Sequence, residues 1–261
     1  MGKTLLNLIK TKIDVLPPEE SFLVDLKATV SADNPPRKRS SHYKPSSLNC
    51  MRVMYFDRTQ APVDTGYAEY SVIRICETGS NSHENIQRYI SHMAKYGKPC
   101  EWIDPEKYAK ENGLDYLRVI NKKEFETHFI DTRYDLSFLC DGIIRYKGKL
   151  YIFEAKTETD DKGLNREEAS PEHRYQSYAY SLSLKISDIM WLYEERNFCM
   201  PKTFHTTVTD ENRLELVRRI EYVDQCVKDM RVPEKCNSRK TCNYCCYKTE
   251  CKKYPERRTN K

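Results

Sequence analysis

The sequence predicts a mixed α/β fold, and three observations carry that expectation. Residues 127–157, THFIDTRYDLSFLCDGIIRYKGKLYIFEAKT, are rich in β-branched and aromatic residues, with Lys147-Gly148 placed as a hairpin turn. Stretches of helical spacing flank this run: Ile86, Ile90 and Met93 before it, Leu216, Ile220, Val223 and Val227 after it. The 261 residues, 39% hydrophobic and 32% charged, suffice for one large domain or two small ones around a modest core.

The elements follow in order. Residues 1–45 read as a loosely organised extension: a short amphipathic start, a turn at Pro17-Pro18, then PPRKRSSHYKPSS as an exposed basic loop. A helix is expected from about Ser46, capped by Ser46 or Ser47, with Leu48, Met51 and Tyr55 on one face. Ser82 is expected to cap HENIQRYISHMAKYG, with His83 on the apolar face and Gly97 as the stop. The strand-rich run comes next. Residues 171–184 return to helical spacing, IMWLYEER reads as a strand, and Asp210 is placed as the cap of a long helix. The expected organisation is an extension over 1–45 and one domain over 46–261.

No run of eighteen apolar residues occurs, so no membrane helix and no membrane partner are expected. The start, MGKTLLNLIKTKIDVLPPEE, lacks a small-residue cleavage site, and Leu6 breaks the myristoylation pattern, which together lead to the expectation of a cytoplasmic protein. The formal net charge of +5 is uneven: residues 231–261 hold ten Lys or Arg against three Glu. Such a basic end is either a solvated tail or the footprint of a polyanion.

A two-residue turn at Lys147-Gly148 sets Tyr146 opposite Lys149 and, counting back, Asp141 opposite Glu154. Side chains alternate along a strand, so Lys156 falls on the Glu154 face. Two acids and one amine then share a patch at the end of a buried strand pair. A cross-strand ion pair on a surface hairpin would account for this. So would a divalent cation, Mg²⁺ or Mn²⁺, held by oxygen ligands, with the amine orienting a nucleophile.

Cysteines supply a second signal. Of eleven, Cys76, Cys100, Cys140, Cys199 and Cys226 are scattered and expected to be small buried hydrophobes, whereas five crowd residues 236–251. Cys242-x2-Cys245-x5-Cys251 offers three thiolates, and a tetrahedral zinc site or an iron-sulfur cubane needs a fourth. Cys236, Cys246 and the distant Cys50 are the candidates for it.

Asp141 followed, after twelve residues, by Glu154-Ala155-Lys156 resembles the core of the PD-(D/E)xK nuclease superfamily. Cys140 stands where the family name has Pro, and Gly142 follows the Asp as in the RecB-type branch. Gly79-Ser80-Asn81-Ser82-His83-Glu84 resembles that branch's upstream helix motif, and Gln176-x-x-x-Tyr180 its downstream one. Cys50 ahead of these motifs and Cys242, Cys245 and Cys251 behind them resemble the iron-sulfur members, including the AddB nuclease domain and the CRISPR-associated adaptation exonucleases. The resemblance spans Cys50 to Cys251.

It implies a restriction-endonuclease-like mixed central sheet flanked by helices, with an iron-sulfur clasp joining the N- and C-terminal segments. It implies that Asp141, Glu154 and the Ala155 carbonyl bind Mg²⁺ or Mn²⁺ with His83 as a further ligand. Lys156 would position water, and Gln176 and Tyr180 would hold the strand. A 4Fe-4S cluster on Cys50, Cys242, Cys245 and Cys251 is implied, with Zn²⁺, and Cys236 in place of Cys50, left as alternatives. The implied partner is DNA, single-stranded or with a free end, together with recombination, replication or CRISPR proteins. Lys248, Lys252 and Lys253, interleaved with Tyr244, Tyr247 and Tyr254, could track the strand by charge and stacking. A DNA exonuclease is thus the expected activity, and a catalytically silent DNA-binding or scaffold protein the rival to it.

Overall fold

A computed structural model describes residues 17–35, 39–64, 70–159, 165–236, 242–243 and 245–255. They separate into two units. The first holds α1 (Pro18–Asp33) and residues 70–77; the second holds residues 39–64 and the described chain from Thr78 onward.

α1 corrects the expectation of a loose segment. Pro18 takes the first helical turn, where its missing N–H has no partner to lose, and Glu19 and Glu20 favour the same turn. None of its residues is buried.

In the second unit, the supposed exposed basic loop is instead anchored. Tyr43 is fully buried and bridges in parallel to Leu136, its N–H donating to Asp135 O (2.9 Å) and its carbonyl accepting from Ser137 N (2.8 Å). Residues 36–38 lie outside the described ones. The next helix also starts later than the serines suggest: Pro45–Ser47 forms a 3₁₀ turn, and α2 (Met51–Arg58) begins after an extended Cys50.

α3 (Tyr70–His92) runs uninterrupted through Ser82, which is not a cap but donates from Oγ to Glu194 Oε1 at 2.6 Å. Gly97, left-handed at φ +68°, ends the 3₁₀ turn that follows, as expected. Three short elements escaped the periodicity: β1 (Cys100–Ile103), α4 (Pro105–Glu111) and β2 (Leu117–Lys122).

The β-rich run divides into β3 (Thr127–Asp131), β4 (Leu136–Cys140), β5 (Gly142–Tyr146) and β6 (Lys149–Glu158). β5 and β6 pair in the register expected, Tyr146 with Lys149 through Gly142 with Phe153, and both turn residues have positive φ. α5 (Arg174–Leu184) and β7 (Asp188–Glu195) fall where the pattern puts them. β8 (Pro201–Thr207) was not foreseen; it is an edge strand with Pro at its first position. The cap of α6 (Asp210–Lys228) is Thr209, one residue before the Asp expected, because Thr209 and Asn212 exchange side chain-to-backbone bonds in a capping box. α7 (Lys248–Lys252) closes the described chain.

Five strands form a mixed sheet in the order β1-β5-β6-β7-β8, parallel only at β6-β7, and β2-β3-β4 form a separate antiparallel sheet. The five-stranded sheet is covered on both faces. Ile143, Ile152, Ile189 and Trp191 pack with residues of α2, α5 and α6, while Ile144, Phe153 and Ala155 pack with Ile86 and Ile90 of α3 and with Met93 of the 3₁₀ turn after it. The mixed central sheet flanked by helices is therefore the observed architecture. Of the five scattered cysteines, Cys100, Cys140 and Cys226 are buried as expected, but Cys76 and Cys199 are exposed. No helix among the described residues is long and apolar enough to cross a membrane.

Candidate active site

The chain changes sheets at one residue. β4 ends at Cys140 and β5 starts at Gly142, leaving Asp141 between them, buried at 6% exposure. Gly142 is required there because a Cβ would overlap the Trp102 indole. Asp141 has left the ladder, yet its carboxylate continues it, Oδ2 accepting from the Ala155 N–H at 3.0 Å. The Gln87 amide, one helical turn beyond His83, donates to the Asp141 carbonyl at 2.8 Å and fixes the backbone. Sequence reading missed Gln87, although the i,i+4 spacing from His83 was available as a signal.

Glu154 lies one residue past the last β5 pair and is 2% exposed. Its Oε1 accepts from Lys156 Nζ (2.5 Å), Gln176 Nε2 (2.5 Å) and Tyr180 Oη (3.4 Å), and the Gln176 amide also reaches the Tyr180 hydroxyl (2.6 Å). The i,i+4 pair on α5 therefore spends its polar ends on Glu154. His83 on α3 places Nδ1 3.7 Å from Asp141 Oδ2. All the residues singled out around the hairpin, His83, Asp141, Glu154, Ala155, Lys156, Gln176 and Tyr180, thus meet at one end of the sheet.

Burial, and then the neighbouring Asp141, push the Glu154 carboxyl up to about 8, against the pull of Lys156. Burial also raises Asp141, opposed by His83 and Lys156, and lowers His83, which favours the neutral imidazole that metals bind. Among the described residues, Glu154 Oε2 is the one buried side-chain oxygen or nitrogen with no hydrogen-bond partner. A buried acceptor of that kind costs about 1–3 kcal/mol unless something positive meets it. Two carboxylates, one of them with an orphaned oxygen, and a neutral imidazole match the donor set of a hard divalent cation. As the side chains stand, no three described His, Cys, Asp or Glu groups close round one point.

A groove opens beside these groups. Lys156 and Gln176 line it together with Lys44, Ser47 and Asn49, and so do Cys245 and Cys246. The tyrosines expected to stack on the strand are divided by burial: Tyr254 is 40% exposed, but Tyr247 is 1% exposed and donates to Asp57 Oδ1 at 2.6 Å. Tyr247 is therefore a core residue and not a stacking platform, and Tyr244 lies outside the described residues.

The fold brings Cys50 to the C-terminal cysteines. Cys50, Cys236, Cys242, Cys245 and Cys251 line one small cavity, with Cys236 and Cys242 Sγ atoms 3.8 Å apart, while Cys246 lies outside it and faces the groove.

No protein-family model and no curated protein sequence matches this chain. Among solved structures it is similar to the crystal structure of SSO0001, with a TM-score of 0.49 at 16% identity over 90% of this chain and 96% of that one. It is also similar to the alkaline exonuclease LHK-Exo of Laribacter hongkongensis, at a TM-score of 0.42, 9% identity, and 74% and 90% coverage. For LHK-Exo in complex with dAMP the values are 0.43, 10%, 77% and 92%. Scores of this size establish no common fold, so the chemistry must come from the residues of this chain.

Proposed function

We propose that this chain is a divalent-metal-dependent nuclease that hydrolyses DNA phosphodiesters, working from a free end. The observation that carries the proposal is the buried Glu154, with one oxygen orphaned and the other held by Lys156, beside the buried Asp141. Asp141, Glu154 and the Ala155 carbonyl would hold Mg²⁺ or Mn²⁺, and His83 is placed to add a nitrogen ligand. When bound, such an ion supplies an acidified water and stabilises charge on the phosphate.

The rest of the reaction falls to side chains. Lys156, about one-fifth exposed, has an ammonium that can turn from Glu154 Oε1 toward the groove, orient a water and meet the developing phosphorane charge. Gln176 and Tyr180 hold Glu154 Oε1 in place, so the carboxylate stays aimed without reorganising. Gln87 and the Ala155 N–H do the same for Asp141. A single strand seated in the groove would meet Lys44 and the polar side chains of Ser47 and Asn49 as well as Lys156.

Cys50, Cys242, Cys245 and Cys251 are proposed to hold a 4Fe-4S cluster that ties α2 to α7, with zinc, or Cys236 in place of Cys50, as the competing compositions. The shared cavity is the support for this.

The test is digestion of labelled linear and circular DNA, single- and double-stranded, with Mg²⁺ or Mn²⁺, by the parent and Lys156→Ala. Metal-dependent shortening of linear substrates by the parent alone is expected. No cleavage by the parent, or equal cleavage by both, would remove the assigned site and leave a DNA-binding scaffold. Iron and sulfide in equal amounts, lost in Cys50→Ser and kept in Cys236→Ser, would decide the cysteine site.

A further inference from the structure

Arg52, in the first turn of α2, is 5% exposed and faces the cysteine cavity. Its hydrogen bonds run to neutral carbonyls and to sulfur: Nε to Pro233 O (3.0 Å), Nη1 to Tyr254 O (2.9 Å), Cys251 O (3.4 Å) and Cys251 Sγ (3.2 Å). Among the described residues no carboxylate pairs with it. Arg58, Arg133 and Arg166, by contrast, each meet an acid: Asp135, Asp131 and Glu158.

A buried cation with no counter-charge is strongly disfavoured, and thiols in their protonated form supply none. Four thiolates around one divalent ion carry a net charge of two minus, and the same net charge belongs to an oxidised 4Fe-4S cube with four thiolates. Lys235, Lys248 and Lys252 line the adjoining pocket with Cys242, Cys245 and Cys251, so the surroundings are cationic on that side as well.

We infer that Arg52 is the counter-charge of the metal–thiolate group, hydrogen-bonded to the sulfur of Cys251, and that it sets how firmly the cysteines retain their metal. This rests on the cysteine site proposed above. Arg52 is a positioning residue, separate from the nuclease carboxylates, that meets the metal ligands through the sulfur and carbonyl of Cys251.

The full chain, Arg52→Gln and Arg52→Lys are compared as isolated. Iron, sulfide and zinc are quantified, and metal release to excess chelator is followed by absorbance. Release from Arg52→Gln is expected to be roughly tenfold faster or more, with Arg52→Lys close to the parent because the charge is retained. After metal removal the order of stability reverses: metal-free Arg52→Gln resists denaturant at least as well as the metal-free parent, since its orphaned charge is gone.

Equal release from the parent and Arg52→Gln would overturn the inference while leaving the cysteine site intact, as would Arg52→Lys releasing as fast as Arg52→Gln. A parent holding neither iron nor zinc through these cysteines would overturn both. If Arg52→Gln does not fold, the lysine variant decides: parent-like release supports a charge role, and rapid release refutes it.

Discussion

Replacing Glu154 by Gln tests the site without a nuclease assay. The Glu154 carboxyl is 2% exposed, its Oε2 is orphaned, and burial with Asp141 beside it raises its pKa from 4.5 to about 8. Between those values the folded chain keeps a proton that the unfolded chain has released, so the metal-free protein loses stability as pH rises. The contribution is fully present below about pH 4.5 and exhausted above about pH 8. At 1.36 kcal/mol per unit the loss approaches about 5 kcal/mol across this window, and Asp141, also raised, adds in the same direction.

Glu154→Gln cannot ionise there, so its stability is expected to vary less with pH. The assay is urea denaturation of both proteins in chelator from pH 5 to pH 9, with the difference of the two curves taken at each pH. Adding Mg²⁺ should stabilise the parent most at the alkaline end, where an ion no longer competes with a proton, and should stabilise the variant little. Parallel pH profiles for the two proteins would refute the claim that an uncompensated buried carboxyl sits at position 154.

Lys156→Met should keep the Mg²⁺-dependent stabilisation and lose cleavage by about 10²–10³-fold, as for removal of one transition-state donor, measured by single-turnover digestion. Gln176→Leu removes one of the donors to Glu154 Oε1 and is expected to weaken metal affinity by roughly tenfold in a Mn²⁺ titration. Gly142→Ala drives a methyl group into Trp102 and should cost about 1–3 kcal/mol in denaturant unfolding. Tyr247→Phe leaves the Asp57 carboxylate and the Arg39 guanidinium each short of a partner, for a loss of about 1–3 kcal/mol at neutral pH by the same measurement.

Local patterning determined the hairpin and the candidate site. A two-residue turn with positive φ at Lys147 and Gly148 has only one register with its strands, so the placement of Asp141 near Glu154 and Lys156 followed from counting. Helical spacing likewise placed Gln176 and Tyr180 together. What counting could not supply was the third dimension. That Asp141 joins two different sheets depends on which neighbours β4 and β5 choose, and those pairings are long-range. Gln87 reaches the Asp141 carbonyl only because α3 packs on the far face of the sheet. Ser82 has the chemistry of a cap, yet tertiary packing carries the helix through it. Tyr43 and Tyr247 looked exposed among charges and are buried, because each finds an acid, Asp224 or Asp57, from a distant segment. The same holds for Arg52: its residue type was legible, but its burial beside Cys251, with no carboxylate partner among the described residues, exists only once α2 meets the C-terminal segment.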